Sequence, residues 1–292
     1  MKNDTIVLFP NAEQDIGYEM SCRAGSILQN HGRRVVFCPL GSELPSVAPA
    51  PPPPQGFKAA RLEDAIDAAE MIIAFGGDGT ILRAARASAE KGVPILGINM
   101  GGKGFIAELE KEDIGKMASL AAGEYKIEQR MMLDVELARE GEAVFRDFAL
   151  NDIIVRGDNK VIGLTLFGDG QMISRFTGDG AVIATPTGST AYSMSAGGPI
   201  VEPSAQNIIV TPICAHVLEA KPFVLVSDRH VSVEIGFKKH NPAYVSVDGC
   251  EHVSILVGDK INVRKSKKHT CLIRLSKRSF YQKVSEKLGE RA

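Results

Sequence analysis

The chain has 292 residues, 44% of them hydrophobic and 24% charged, with a formal net charge of −1. That length fits one large domain or two of ordinary size with a real apolar core. The balanced charge argues against duplex nucleic acid or an anionic membrane as a partner.

No apolar stretch has the length or flanks expected of a secretion signal. No apolar run approaches the roughly 18–20 residues that span a bilayer, so a cytoplasmic location is expected. Cys22, Cys38, Cys214, Cys250 and Cys271 are scattered and odd in number, without a CxxC pair. They read as inert thiols rather than a disulfide framework or zinc site. The histidines contain no HExxH, so a transition-metal site has no support.

In chain order, Thr5–Phe9 reads as a strand, Glu13–Gln29 as a helix ended by Gly32, and Arg34–Cys38 as a second strand. The proline run from Pro45 to Pro54 lacks amide donors and reads as a surface loop. Met71–Phe75 and Val93–Ile98 are continuous apolar runs, which suit strands buried on both faces of a parallel sheet. Ile81–Ala89 and Asp113–Ala121 read as helices. Strands separated by helices imply a doubly wound α/β unit.

From about Tyr125 the texture becomes β-rich. Short segments follow at Leu133–Ala138, Ala143–Leu150, Ile153–Arg156, Ile162–Phe167, Met172–Phe176 and Ala181–Ala184. Others follow at Phe223–Val226, Val231–Ile235, Tyr244–Val247, Lys260–Val263 and Thr270–Leu275. The expected division is an α/β domain at 1–124 and a β-rich domain at 125–275. The tail 276–292, with a helix at Ser279–Leu288, is expected to pack back on the first domain.

Three segments carry chemistry. Met71–Phe75 runs into Gly76-Gly77-Asp78-Gly79-Thr80 and then an amphipathic stretch. A strand, glycine turn and helix present backbone amides and a positive dipole end to a phosphate. The glycines permit close approach, and Thr80 is positioned to cap the helix. Asp78 would repel phosphate unless it holds Mg²⁺ or takes a proton from an attacking hydroxyl. No GxxxxGK[ST] or GxGxxG occurs. The second segment runs from Gly178-Asp179-Gly180 through Thr185-Pro186-Thr187-Gly188-Ser189-Thr190-Ala191-Tyr192-Ser193-Met194-Ser195 to Gly198-Pro199. Its clustered hydroxyls suit hydrogen bonds to a polar ligand, and Tyr192 offers an aromatic face for a base. The third is Asn151-Asp152, two polar residues interrupting an apolar run. Either one faces inward and needs a partner, or the strand bulges there.

Together these segments resemble the NAD kinases. GGDGT at 76–80, the Asn-acidic pair at 151–152 and DG…TPTGSTAYS…GGP at 179–199 carry the resemblance, with Gly97-Ile98-Asn99…Gly104-Phe105, Thr211–His216 and Val247-Asp248-Gly249 in support. TPTGSTAY is the specific part, since GGDG alone is shared with lipid kinases. The resemblance implies Mg²⁺-dependent phosphorylation of the 2′-hydroxyl of the adenosine ribose of NAD, with ATP or polyphosphate as donor. It implies an α/β Rossmann-like N-terminal domain, an all-β sandwich-type C-terminal domain, and a homodimer or homotetramer. Asp78 would be the catalytic base. Gly76, Gly77, Gly79 and Thr80 would bind ATP phosphate. Asp78, Gly79, Arg83, Phe105, Asn151, Asp152, Asp179, Thr187, Thr190, Ala191, Tyr192 and Ser195 would line the NAD site. Magnesium would ride on substrate phosphates, with no dedicated protein cage. Two departures stand out: Asp152 stands where many members have Glu, and Lys103 replaces an apolar residue before Gly104-Phe105.

Overall fold

The computed structural model describes residues 4–41, 54–102, 104–217, 220–236, 242–250, 252–256, 258–276 and 278–289. Lys103 and all of the 45–54 proline run except Pro54 lie outside the described residues. Two compact units form, one of Met1–Gln129 with Thr270–Ala292 and one of Arg130–His269.

The first unit is built on parallel strands β1 (Thr5–Pro10), β2 (Arg34–Phe37), β3 (Lys58–Ala59), β4 (Ala69–Gly76), β5 (Ile95–Asn99) and β6 (Leu109–Glu110), in the order β6-β5-β4-β1-β2-β3. Helices α1 (Glu19–Asn30), α2 (Leu62–Ala65) and α3 (Asp78–Ser88) lie between them in sequence, and α4 (Met117–Ala121) follows β6. β1 and β5 are buried along their whole length, and β4 at all but Glu70. That is why they read as unbroken apolar runs. Ile6, Leu8, Ile73 and Phe75 pack with Leu28 of α1 and Met117 and Leu120 of α4. On the opposite face α3 lies so close that a Cβ at Gly97 would overlap Ile81.

The expected helix at Glu13–Gln29 is corrected: α1 begins at Glu19. Gly17 (φ 64°) and Tyr18 (φ 59°) adopt left-handed backbone there. The buried Asp15 carboxylate accepts the amides of Met20 and Ser21, both at 3.0 Å, and so fixes the start. The expected helix over Asp113–Ala121 is also shorter, with a 3₁₀ turn at Lys111–Lys116 leading into α4. A C-terminal helix, Phe280–Gly289, belongs to this unit.

The second unit contains β7 (Lys126–Arg139) from Arg130 on, β8 (Glu142–Ala149), β9 (Asp152–Gly157), β10 (Ile162–Gly168), β11 (Gln171–Gly178), β12 (Gly180–Ala184), β13 (Asn207–Ile213), β14 (Phe223–Val226), β15 (Val231–Gly236), β16 (Ala243–Val247), β17 (Val253–Ile255) and β18 (Lys260–Arg274) as far as His269. One sheet runs β11-β10-β15-β18-β7-β8 and the other β14-β13-β12-β9-β16-β17. Leu133 and Leu137 of β7, Val233 of β15 and Val263 of β18 share a core with Val155 of β9, Ile183 of β12 and Val245 of β16. Two antiparallel sheets closing on one core form a sandwich. The two strands expected at Lys260–Val263 and Thr270–Leu275 are one continuous strand, β18.

Within the second sheet, β12 is buried on both faces and β13 at all but Asn207. Val182, Ala184, Ile209 and Ile213 point away from the sandwich core and are covered by Tyr192, Ala196 and Val201. The hydroxyl-rich segment therefore lies over the outer face of β12 and β13.

Candidate active site

In the first unit, β4 ends at Gly76 and α3 starts at Asp78, so Gly77 alone joins strand to helix. A Cβ at Gly76 would overlap Thr80. Thr80 is buried inside the first turn and Gly77 holds the N-cap position without a side-chain cap, which corrects the expectation that Thr80 caps the helix. The amide of Gly77 donates to Gln14 Oε1 at 2.7 Å. A carbonyl oxygen thus already occupies an amide suited to a phosphate oxygen.

Asp78, in the first turn of α3, is held by a second loop. Its Oδ2 accepts the amide of Phe105 at 2.8 Å, and its Oδ1 that of Ile106 at 3.1 Å. Gly104 packs so closely that a Cβ there would lie 2.5 Å from Asp78 Oδ1. Burial pushes the carboxyl above its ordinary range, against the amides of Phe105, Ile106 and Ala107 and the charge of Lys287. A carboxylate shifted upward but still oriented by donors has the properties of a general base.

In the second unit, Asn151 and Asp152 sit where β8 has ended and β9 begins, and both are buried. The pair escapes strand alternation because Asp248 clamps the backbone. Its carboxylate accepts three successive amides, from Leu150 (2.7 Å), Asn151 (2.8 Å) and Asp152 (3.0 Å). Asp248 itself has φ 48° and returns its amide to the Asp152 carbonyl at 3.0 Å. Burial, with the Asp248 charge adding to it, pushes the Asp152 carboxyl up to about 7, against the amide of Tyr192. Asn151 Oδ1 is buried and has no hydrogen-bond partner among the described residues. Such an oxygen costs stability until a donor reaches it.

The hydroxyl-rich segment spends most of its hydroxyls on itself. Thr185 Oγ1 donates to the Leu150 carbonyl (2.5 Å) and accepts the Gly188 amide (3.1 Å). Ser189 Oγ bonds the Pro186 carbonyl (2.7 Å) and Ser193 Oγ bonds Thr211 Oγ1 (2.9 Å). Thr187 Oγ1 accepts from Arg130 at 3.2 Å, and Thr190 Oγ1 donates to the Thr187 carbonyl at 3.2 Å. A Cβ at Gly188 would lie 2.8 Å from Asn151 Cα, so this turn packs directly on the 151–152 backbone. The hydroxyls build a shaped wall against Asn151.

Known proteins share both units. Residues 42–125 match the ATP-NAD kinase N-terminal domain and residues 150–275 the ATP-NAD kinase C-terminal domain. An NAD kinase of Natranaerobius thermophilus is 38% identical over 291 residues, covering 97% of each chain. The chain belongs to the NAD kinase family. It is therefore a kinase. Two solved NAD kinase family structures share its fold. The crystal structure of yeast NADH kinase complexed with NADH has TM-score 0.82 and 24% identity, covering 100% of this chain and 89% of that one. An NAD kinase from Archaeoglobus fulgidus in complex with ATP has TM-score 0.74 and 24% identity, covering 99% and 100%.

Among the residues expected from the NAD kinase resemblance, Asp78 and Phe105 meet through a carboxylate–amide bond. Gly79 and Arg83 are exposed on α3. Asn151, Asp152, Thr187, Thr190, Ala191 and Tyr192 cluster around the 151–152 turn and the segment over β12. Ser195 is exposed at the end of the helical turn Tyr192–Ser195. Asp179 joins β11 to β12, its amide donating to the Ile213 carbonyl at 3.0 Å. Sequence reasoning missed Asp248 as the clamp, Arg130 behind Thr187, and Gln14 at Gly77. Asp248-Gly249 carried a turn signal, whereas Gln14 and Arg130 carried none. Among the described residues no three His, Cys, Asp or Glu side chains converge as a metal site, and no helix is long and apolar enough to cross a membrane.

Proposed function

We propose that the protein transfers the γ-phosphoryl group of ATP to the 2′-hydroxyl of the adenosine ribose of NAD, giving NADP and ADP. The observation that carries this reading is Asp78. It is a half-buried carboxylate at the start of a helix that follows a glycine turn, raised toward the pH at which a base works and oriented by two amides. Asp78 accepts the ribose proton as the oxygen attacks phosphorus. Gly76, Gly77, Gly79 and Thr80 supply the phosphate-facing turn, and Gln14 gives up the Gly77 amide to the donor.

Asn151 and Asp152 hold ribose hydroxyls, the unpaired Oδ1 of Asn151 accepting a hydrogen bond from one of them. Thr187, Thr190, Ala191, Tyr192 and Ser195 shape the dinucleotide surface. Phe105 and Arg83 serve the adenosine part, and Asp179 the nicotinamide end. Mg²⁺ would be carried on the ATP phosphates, since it binds through substrate phosphates with few protein carboxylates. When bound it compensates charge on the transferring group. A homodimer or homotetramer in the cytoplasm completes the proposal.

The test is a coupled assay of the purified protein with NAD, Mg²⁺ and either ATP or polyphosphate, read by an NADP-specific dehydrogenase. NADP formation with ATP is the expected result. Diacylglycerol phosphorylation without NADP would move the assignment to lipid kinases.

A further inference from the structure

The loop that grips Asp78 is itself gripped from its other side. Glu108 is two residues after Ile106 and its side chain is 2% exposed. Its Oε1 accepts the amides of Leu275 (3.1 Å) and Ser276 (2.7 Å) and the Ser276 hydroxyl (2.6 Å). Its Oε2 faces Arg274 Nη1 at 3.2 Å and Lys283 Nζ at 3.3 Å. The same two cations reach the loop backbone, Arg274 Nη1 donating to the Ile106 carbonyl (3.2 Å) and Lys283 Nζ to the Ala107 carbonyl (3.0 Å). One helical turn beyond Lys283, Lys287 pairs with Glu110 at 3.4 Å. Burial would push the Glu108 carboxyl up, but Ser276, Lys283 and Arg274 hold it below its usual range. It is therefore ionised and bound at neutral pH.

We propose that Glu108, with Arg274, Ser276 and Lys283 of the C-terminal segment, forms a latch that positions the catalytic carboxylate of Asp78, by fixing the Phe105–Ala107 backbone whose amides orient it. This rests on the reading of Asp78 as base. A peptide unit presents its amide and carbonyl on opposite sides, and the unit joining Ile106 to Ala107 turns its amide to Asp78 and its carbonyl to Arg274, while the next carbonyl, of Ala107, meets Lys283. A buried carboxylate with five donors is otherwise a costly way to join a tail to a domain, since removing any partner leaves charge uncompensated. Glu108 and Lys283 are positioning residues, because neither touches Asp78.

The experiment is steady-state kinetics of NAD phosphorylation from pH 6 to pH 9 for Glu108→Gln, Lys283→Met, Lys283→Arg and Asp78→Asn, with thermal unfolding of each. Glu108→Gln and Lys283→Met should lower kcat by about tenfold, in line with the cost of small misplacements of catalytic groups. KM for NAD and ATP should stay within about twofold. The acid limb of kcat should move to higher pH, because amides that stabilised ionised Asp78 are released. Lys283→Arg should restore both readouts. If Glu108→Gln does not fold, the two Lys283 variants carry the test. Unchanged kcat and pH profile in folded Glu108→Gln or Lys283→Met, with Asp78→Asn inactive, would overturn the latch and leave the base intact. Full activity in Asp78→Asn would overturn the base reading instead.

Discussion

Replacing Asp152 by Asn tests the buried carboxyl at the 151–152 turn. The carboxyl rises from 3.8 to about 7 on folding, chiefly through burial. Below pH 3.8 both folded and unfolded chains keep the proton, so the group costs nothing. Between 3.8 and about 7 the unfolded chain loses its proton while the folded chain retains it, so stability falls as pH rises. Above about 7 the folded chain carries the full penalty of a buried charge beside Asp248. About two pH units of that window lie between pH 5 and pH 7, which at about 1.4 kcal/mol per unit sets a ceiling of about 3 kcal/mol. Relaxation around the charge should leave about 1–2 kcal/mol of it. The amide introduced by Asp152→Asn is nearly isosteric with the carboxyl and cannot ionise. Urea unfolding of both proteins at pH 5 and pH 8 should therefore show the variant gaining that amount relative to the native chain. A stability difference that does not change with pH would refute the reasoning. The variant should also bind NAD more weakly at pH 8, where the native carboxylate is charged and accepts ribose hydroxyls.

Asp78→Asn should retain NAD binding by calorimetry while losing at least about 100-fold in kcat, since the amide cannot take the proton. In the native enzyme kcat should fall as pH drops through the raised pKa of Asp78, because only the ionised form is a base. Asn151→Leu removes a buried oxygen without a partner, so its melting temperature should hold or rise while NAD affinity drops. Loss of about 1–3 kcal/mol of stability instead would mean that Oδ1 has a partner in the free protein. Gly188→Ala forces a Cβ onto the Asn151 backbone, and should lower both stability, by about 1–3 kcal/mol, and NAD affinity. Gly104→Ala presses on Asp78 Oδ1, and should depress kcat more than KM.

The architecture was legible where one physical cause dominated. Met71–Phe75 and Val93–Ile98 read as parallel core strands because both sheet faces are covered, and no polar residue fits there. The start of α1 was not legible, because Glu13 to Tyr18 has helical spacing, but Gly17 and Tyr18 go left-handed and Asp15 caps a later turn. β13 was not among the expected strands, although Ile208-Ile209-Val210 is as apolar as any of them. Pro203, Ser204 and Asn207 before that run and Pro212 after it are turn-forming residues that mask a strand. At the site, Gly76–Thr80 and Asn151-Asp152 stood out as polar residues in apolar surroundings. The hydroxyls of Thr185, Ser189 and Ser193 also stood out, but for a reason composition cannot separate: they satisfy the backbone and neighbours of their own loop rather than wait for a ligand. Val247-Asp248-Gly249 supported the resemblance, but the role of Asp248 as clamp, nearly a hundred residues from the turn it holds, is visible only in three dimensions, since its signal is three converging amides. The latch at Glu108 was hidden for the same reason, its partners lying in the last strand and helix.

Delivery of the 2′-oxygen of NAD to the terminal phosphoryl of ATP by Asp78 is the proposed step on which the rest depends. The most direct measurement is analysis of the product formed from NAD and γ-labelled ATP, with phosphorus NMR to locate the label. The account predicts a single labelled dinucleotide carrying its new phosphate on the 2′-oxygen of the adenosine ribose, formed by the native protein and absent with Asp78→Asn. ADP release without a labelled dinucleotide, or a label on any other hydroxyl, would contradict it.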